Sequence, residues 1–231
     1  MLPKRLRAYL EASPGGRRIA PFIIFILLTV AQGKFGAQSA YWFYLAKTVI
    51  GAWMVLAVWP LISELRLAIS WEAIIVGTGV FVMWVGLDGL YPGLDQLLGK
   101  NAEETSPWNP HLTFGQGSGL AWLFILIRTL GSSLVVPPLE EVVFRSTIYR
   151  YIIHPDFEKV SLRQFHWGAL LITSLIFAVE HNEWLAGFLC GIAYQWLVIR
   201  KGRLGDAITA HAITNFLLAG WVVFRGAWQF W

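Results

Sequence analysis

The chain alternates long apolar runs with short polar breaks, and the runs have the length of a bilayer rather than of a globular helix. A membrane-crossing helix needs about 20 mostly apolar residues. Such runs fall at 19–33, 41–62, 71–90, 118–137, 166–182, 184–199 and 206–224. The piece at 138–153 is shorter and carries charge, so it is expected to be a helix embedded near one interface. The pattern therefore predicts an all-α polytopic membrane protein of seven to eight transmembrane helices. One long connection, 91–117, is rich in Pro, Gly and Asn and separates residues 1–117 from residues 118–231. It reads as a plain connector or as a lid lying at the interface. No internal repeat stands out, so the two parts are expected to form one integrated membrane domain.

Composition agrees with this picture. Of 231 residues, 56% are hydrophobic and only 14% charged, whereas soluble domains carry roughly 25% charged residues. The 13 Trp suit the lipid–water boundary. No basic stripe interleaved with aromatics accompanies the net charge of +4, so a nucleic-acid partner is not expected. The single cysteine, Cys190, excludes an internal disulfide and a cysteine metal cluster. It reads as an inert buried thiol. The first run lies between Arg18 and Lys34 behind a basic leader, like a signal peptide, with small residues at 36–40 for cleavage. Because further spans follow, an uncleaved first helix is expected.

Charge sets the expected orientation. With seven crossings and the N-terminus inside, the inner segments hold Lys4, Arg5, Arg7, Arg17, Arg18, Arg66, Arg145, Arg150, Lys159, Arg163, Arg200, Lys201 and Arg203, which is 13 of the 18 basic residues. The outer segments hold Lys34, Lys100 and Arg225, and the 91–117 loop adds Asp95, Glu103 and Glu104. This asymmetry predicts a cytoplasmic N-terminus.

Several ionisable residues fall inside the apolar runs: Lys47, Asp88, Arg128, Glu140, Glu141, Glu180, His181 and His211. Each needs a partner or a water-filled cavity. Lys47 and Asp88 read as structural: Lys47 by snorkelling or by pairing with a carboxylate of a neighbouring helix, Asp88 by lying near a span end. Arg128 reads as structural too, or as a charge partner for the glutamates.

The segment 137–145 is more informative. Pro137 and Pro138 are expected to end one helix, with Pro138 opening the next. Glu140 and Glu141 would then lie in a first turn, where free amides and the helix dipole favour negative charge. Glu141 and Arg145 are four apart and share a face. Glu140 points about 100° away from them. Glu141 is thus expected to be anchored and Glu140 free to act as a base. A structural ion-pair cluster remains open as the plain reading. Downstream, Phe177 and His181 are four apart in FAVEH, flanked by Glu180 and Glu183. His211 and Asn215 are four apart in HAITN and can jointly donate to an oxyanion. Taken singly, these are as consistent with an interface histidine and a helix–helix hydrogen bond. Their co-occurrence favours a site. Two glutamates and two histidines also suit zinc, but no H-E-x-x-H is present, so a glutamate-activated water ranks above a metal and no cofactor is expected.

These motifs resemble the CPBP (CAAX-prenyl-endopeptidase and bacteriocin-processing, or abortive-infection) family of intramembrane proteases. Its pattern of Glu-Glu-x-x-x-Arg, Phe-x-x-x-His and His-x-x-x-Asn/Asp stands here as EEVVFR at 140–145, FAVEH at 177–181 and HAITN at 211–215. The resemblance covers residues 118–224. It implies eight membrane helices and a catalytic C-terminal core in which Glu140 activates water with help from His181. His211 and Asn215 would stabilise the oxyanion, and Glu141 with Arg145 would organise the site. The family has been described as metal-dependent and is now treated as glutamate-type. The chain also looks like a bacterial CAAX-protease-related branch, which implies a bacterial plasma membrane. The partners implied are the bilayer and a membrane-protein or lipidated-peptide substrate. Its own ending, Gln229, Phe230 and Trp231, carries no prenylation box.

One conflict stands within this reading. The seven-crossing arrangement puts Glu140 and His211 towards the cytoplasmic side and His181 at the outer end of its span. Two other classes of function share the same features: a non-enzymatic scaffold or immunity protein, and a small transporter with a proton-relaying carboxylate.

Overall fold

The structure, a computed structural model, describes residues 4–36, 38–99 and 108–231. Lys100, Glu103 and Glu104, which enter the charge argument for the long loop, lie outside the described residues. An amphipathic helix α1 (Lys4–Ala12) precedes α2 (Pro14–Ala31), whose first turn is capped by the Ser13 hydroxyl accepting from the Gly16 amide. Then follow α3 (Ser39–Val58), α4 (Trp71–Gly86), and the short α5 (Leu94–Leu97) and α6 (Pro110–Phe114). A continuous helical rod, α7 (Gly119–Ile153), leads to α8 (Trp167–Ala178), α9 (Trp184–Lys201) and α10 (Gly205–Arg225). All regular structure among the described residues is helical, as the apolar pattern predicts.

Among the described residues, four helices are long and apolar enough to cross a membrane: Pro14–Ala31, Ser39–Leu61, Gly119–Ile153 and Gly205–Arg225. Trp71–Gly86 and Trp167–Ala178 are shorter apolar helices. α9 reaches 18 residues and ends in Arg200 and Lys201. Their outward faces carry large apolar side chains such as Leu56, Ile75, Leu134 and Phe216, the surface expected against lipid.

The expected helix break at Pro137–Pro138 is absent. α7 runs through both prolines for 35 residues. It does so by changing pitch: π-helical at Gly131–Val135, α-helical at Val136–Glu141, π-helical again at Val142–Ile148. A π-turn widens the ring and reassigns the carbonyls that the prolines cannot serve. Glu140 and Glu141 therefore sit in mid-helix, with no free N-terminal amides around them. The separate interfacial helix at 138–153 is the lower half of this rod.

Helix lengths also resolve the depth conflict. The 12 residues of α8 rise ~18 Å at 1.5 Å per residue. That is far short of the 35-residue α7. From the turn between α8 and α9, His181 reaches the same cavity as Glu140. The chain after α4 folds down to cover this turn: Leu94 N donates to Asn182 O at 2.8 Å, and Trp184 Nε1 donates to Pro92 O at 3.1 Å. Part of the long connection is thus a clasp over this turn.

At the other end of the bundle, basic residues are tied down by carboxylates. Glu64, in the loop after α3, accepts from Arg18 at 2.7 Å, from Arg150 at 2.7 Å and from the Ser146 hydroxyl at 2.5 Å. Burial by itself would raise the Glu64 pKa, but the Ser146 hydroxyl and the Arg18 guanidinium overcome it and hold the carboxyl at about 2. Lys201 pairs with Glu72 at 3.0 Å, and Arg203 with Asp206.

Candidate active site

α10 lies along α4 closely enough that glycine is required between them. A Cβ on Gly77 would fall 2.5 Å from the Ala210 carbonyl oxygen. The Thr214 hydroxyl, one turn on, donates to Gly77 O at 2.8 Å and accepts from the Tyr194 hydroxyl at 2.7 Å. This seam fixes the rotation of α10 and turns His211 towards α7.

His211 then meets both glutamates. Its Nδ1 lies 3.0 Å from Glu141 Oε1, and its Nε2 lies 3.9 Å from Glu140 Oε2. Glu141 and Arg145 are both fully buried and pair at 3.3 Å, as their spacing predicts. The Arg145 guanidinium lies 4.5 Å over the Phe177 ring, which compensates part of its charge in a dry site. Glu140 keeps 13% of its side chain accessible, and its Oε2 has no hydrogen-bond partner. Glu141 is held through Oε1 by His211 and by an ion pair with Arg145 that is not itself a hydrogen bond, whereas Glu140 has only the longer approach to His211. What spacing could not reveal is that one imidazole joins them.

His181 comes to the same place from the dipping turn. Its Nδ1 is 2.9 Å from Phe177 O. A carbonyl only accepts, so Nδ1 carries the proton and Nε2 is left as the acceptor of the neutral ring. The Phe177 ring touches both histidines, with centroids 4.7 Å from His181 and 6.2 Å from His211. Trp84 packs edge-on against His181 at 5.3 Å, and Tyr194 covers His211 at 5.2 Å. A cavity of about 230 Å³ opens among Glu140, His181, His211 and Asn215. All the sequence-designated site residues thus belong to one locus, with Glu141 and Arg145 behind its wall.

Asn215 has a second task. Val136 N already bonds to Gly131 O, and the next residue is Pro137, which has no N–H. The carbonyl of Ser132 is left over, and Asn215 Nδ2 donates to it at 2.8 Å. A carboxamide has two N–H groups, so one remains for the cavity.

Other designated groups behave differently. Lys47 donates to the Thr29 hydroxyl at 3.0 Å and sits over the rings of Phe25 and Tyr44. Asp88 accepts from Gln229 at 3.2 Å. Glu180 is exposed on the turn, and Glu183 lies at the cavity edge. Arg128 pairs with neither glutamate; it also lines the cavity, at a distance along α7. Cys190 is 2% exposed, as its apolar setting suggests. Tyr194 and Trp84 escape sequence reading because an aromatic at helical spacing looks like any core residue.

A largely buried carboxylate, two imidazoles and a carboxamide thus line one small cavity. Residues 120–217 match the family model for type II CAAX prenyl endopeptidases, Rce1-like. This stretch holds all three motifs, so the match agrees with the resemblance to CPBP intramembrane proteases that they carry. No curated protein and no solved structure matches the chain.

Proposed function

We propose that this chain is an intramembrane endopeptidase in which Glu140 activates the attacking water. The observation that carries the reading is His211 set between an anchored glutamate and a free one. As the water oxygen bonds to the peptide carbonyl carbon, its proton passes to Glu140. His181 Nε2 accepts the water's other hydrogen and orients it. The oxyanion that forms takes a hydrogen bond from the spare N–H of Asn215 and, with a second proton on the His211 ring, one from His211 Nε2, while Glu141 accepts from Nδ1. The carbon–nitrogen bond then breaks, and the proton on Glu140 goes to the departing amine. Prenylated CAAX-type chains, the substrates named in the matched family's description, are the first substrate class to test.

The test is cleavage of an S-prenylated peptide, and of membrane-protein candidates, by purified wild type, Glu140→Gln and His211→Ala. Glu140→Gln is expected to lose at least ~100-fold in turnover, the scale of a general base. Undiminished cleavage by it would sink the proposed base. Chelation is expected to leave activity intact. Stoichiometric zinc that disappears on His181→Ala or His211→Ala would replace this reading with a zinc-dependent protease.

A further inference from the structure

Arg128 is a charge inside the apolar bundle that no carboxylate of the described residues pairs with. Such charges normally find a partner, and guanidinium stays protonated in proteins. Three rings from three separate segments surround it instead: Tyr44 of α3 at 5.0 Å, Trp108 at 4.5 Å and Trp231 at 5.3 Å. Aromatic faces stabilise a cation but leave its in-plane N–H donors unused. Lys47 lies over the same Tyr44 ring at 4.4 Å.

Arg128 also shares the catalytic cavity. Arg128, Ser132, Val136 and Glu140 all line it, four residues apart along one face of α7. Twelve residues, partly π-helical, rise at most ~18 Å, the length of no more than about five residues of extended peptide. The cavity therefore has a carboxylate and two imidazoles at one end and an unneutralised, donor-rich cation at the other.

We infer that Arg128 receives the terminal carboxylate of the bound peptide and so determines which bond reaches Glu140, a few residues upstream of a free C-terminus. This rests on the hydrolytic reading above for the position of the cut, but not for the binding itself. A guanidinium takes a carboxylate through two parallel hydrogen bonds, and the aromatic cage holds its plane in place. Without that anchor an internal segment of a protein would compete equally for the cavity.

The experiment uses the full chain in detergent micelles and S-prenylated peptides extending two to six residues beyond the modified cysteine, each made as free acid and as C-terminal amide. Binding is measured on Glu140→Gln, and cleavage on wild type. Acid peptides of one preferred length are expected to bind at least 10-fold tighter than their amides. Arg128→Gln should erase that preference, and Arg128→Lys should restore part of it. Equal affinity for acid and amide across the set overturns the inference, as does a preference that survives Arg128→Gln. If Arg128→Gln does not fold, the acid–amide comparison on the Arg128 protein still decides. Binding that depends on the acid without cleavage keeps the carboxylate site and sinks the hydrolytic reading; cleavage indifferent to acid or amide does the reverse. Displacement by anionic phospholipid together with acid–amide equality would assign Arg128 to a lipid phosphate and end the peptide reading.

Discussion

Asn215 donates its side-chain amide to the carbonyl of Ser132, the oxygen that Pro137 leaves without a backbone donor. A residue of the proposed oxyanion site is therefore also the clip that lets α7 run through a proline pair. Asn215→Ala should lower stability by ~1–3 kcal/mol, the cost of a buried acceptor left unpaired. It should also depress turnover. Adding Pro137→Ala returns a backbone N–H near Ser132 and should recover stability without recovering turnover. Thermal unfolding and peptide cleavage, measured on the single and double variants, separate the two tasks. Recovery of both would leave Asn215 a structural role only.

Glu140 and Glu141 are neighbours in sequence and should fail in opposite ways. Glu140 has no hydrogen-bonded partner for Oε2, so Glu140→Gln should fold as wild type and be silent in cleavage. Glu141 holds both Arg145 and His211 in a fully buried cluster. Breaking such a cluster costs ~3–5 kcal/mol, so Glu141→Gln should show a clearly lowered unfolding temperature. Equal melting of the two variants would contradict this division.

Glu64 gives the pH dependence a sign. Its carboxyl is held at about 2, below the ordinary 4.5, by Ser146 and Arg18 against the effect of burial. A depressed folded-state value adds stability that is complete above the unfolded value and is lost as pH falls through the folded one. The chain should therefore weaken between about pH 4.5 and pH 2, by ~3 kcal/mol at most from this group. Glu64→Gln should remove most of that acid dependence while lowering stability at neutral pH. Acid melting curves of both proteins check it.

Gly77 sets the spacing on which His211 depends. A methyl group there meets the Ala210 carbonyl at 2.5 Å, a backbone atom that cannot rotate away. Gly77→Ala should cost ~1–3 kcal/mol as overpacking. By pushing α10 outward it should also lower the turnover number more than the affinity for peptide. Gly79, on the same helix, has open space around it. Gly79→Ala is the matched control and should leave both unchanged.

Much of this architecture is legible in the chain. Runs of bilayer length imply helices, because lipid leaves backbone groups no other partner. Their observed positions follow the apolar runs, with α10 at Gly205–Arg225 where 206–224 is expected. The pairing of Glu141 with Arg145 follows from four-residue spacing alone. The same local reasoning misplaces the Pro137 break. A proline is locally a helix stop; the π-helical change of pitch carries the helix on, and the amide of Asn215, 78 positions away in numbering, takes up the Ser132 carbonyl left over.

What the sequence alone determined is therefore the set of helices and the short-range pairs on them, since both depend on periodicity within a few turns. The tertiary structure decided the rest. It made α8 too short to carry His181 to the far surface, set His211 between Glu140 and Glu141, and gave Arg128 rings instead of a carboxylate. Those outcomes depend on helix depth and rotation, which are fixed by contacts such as Gly77 against Ala210 between residues more than a hundred positions apart. No local pattern carries that information, because the energy that fixes it appears only when the helices meet.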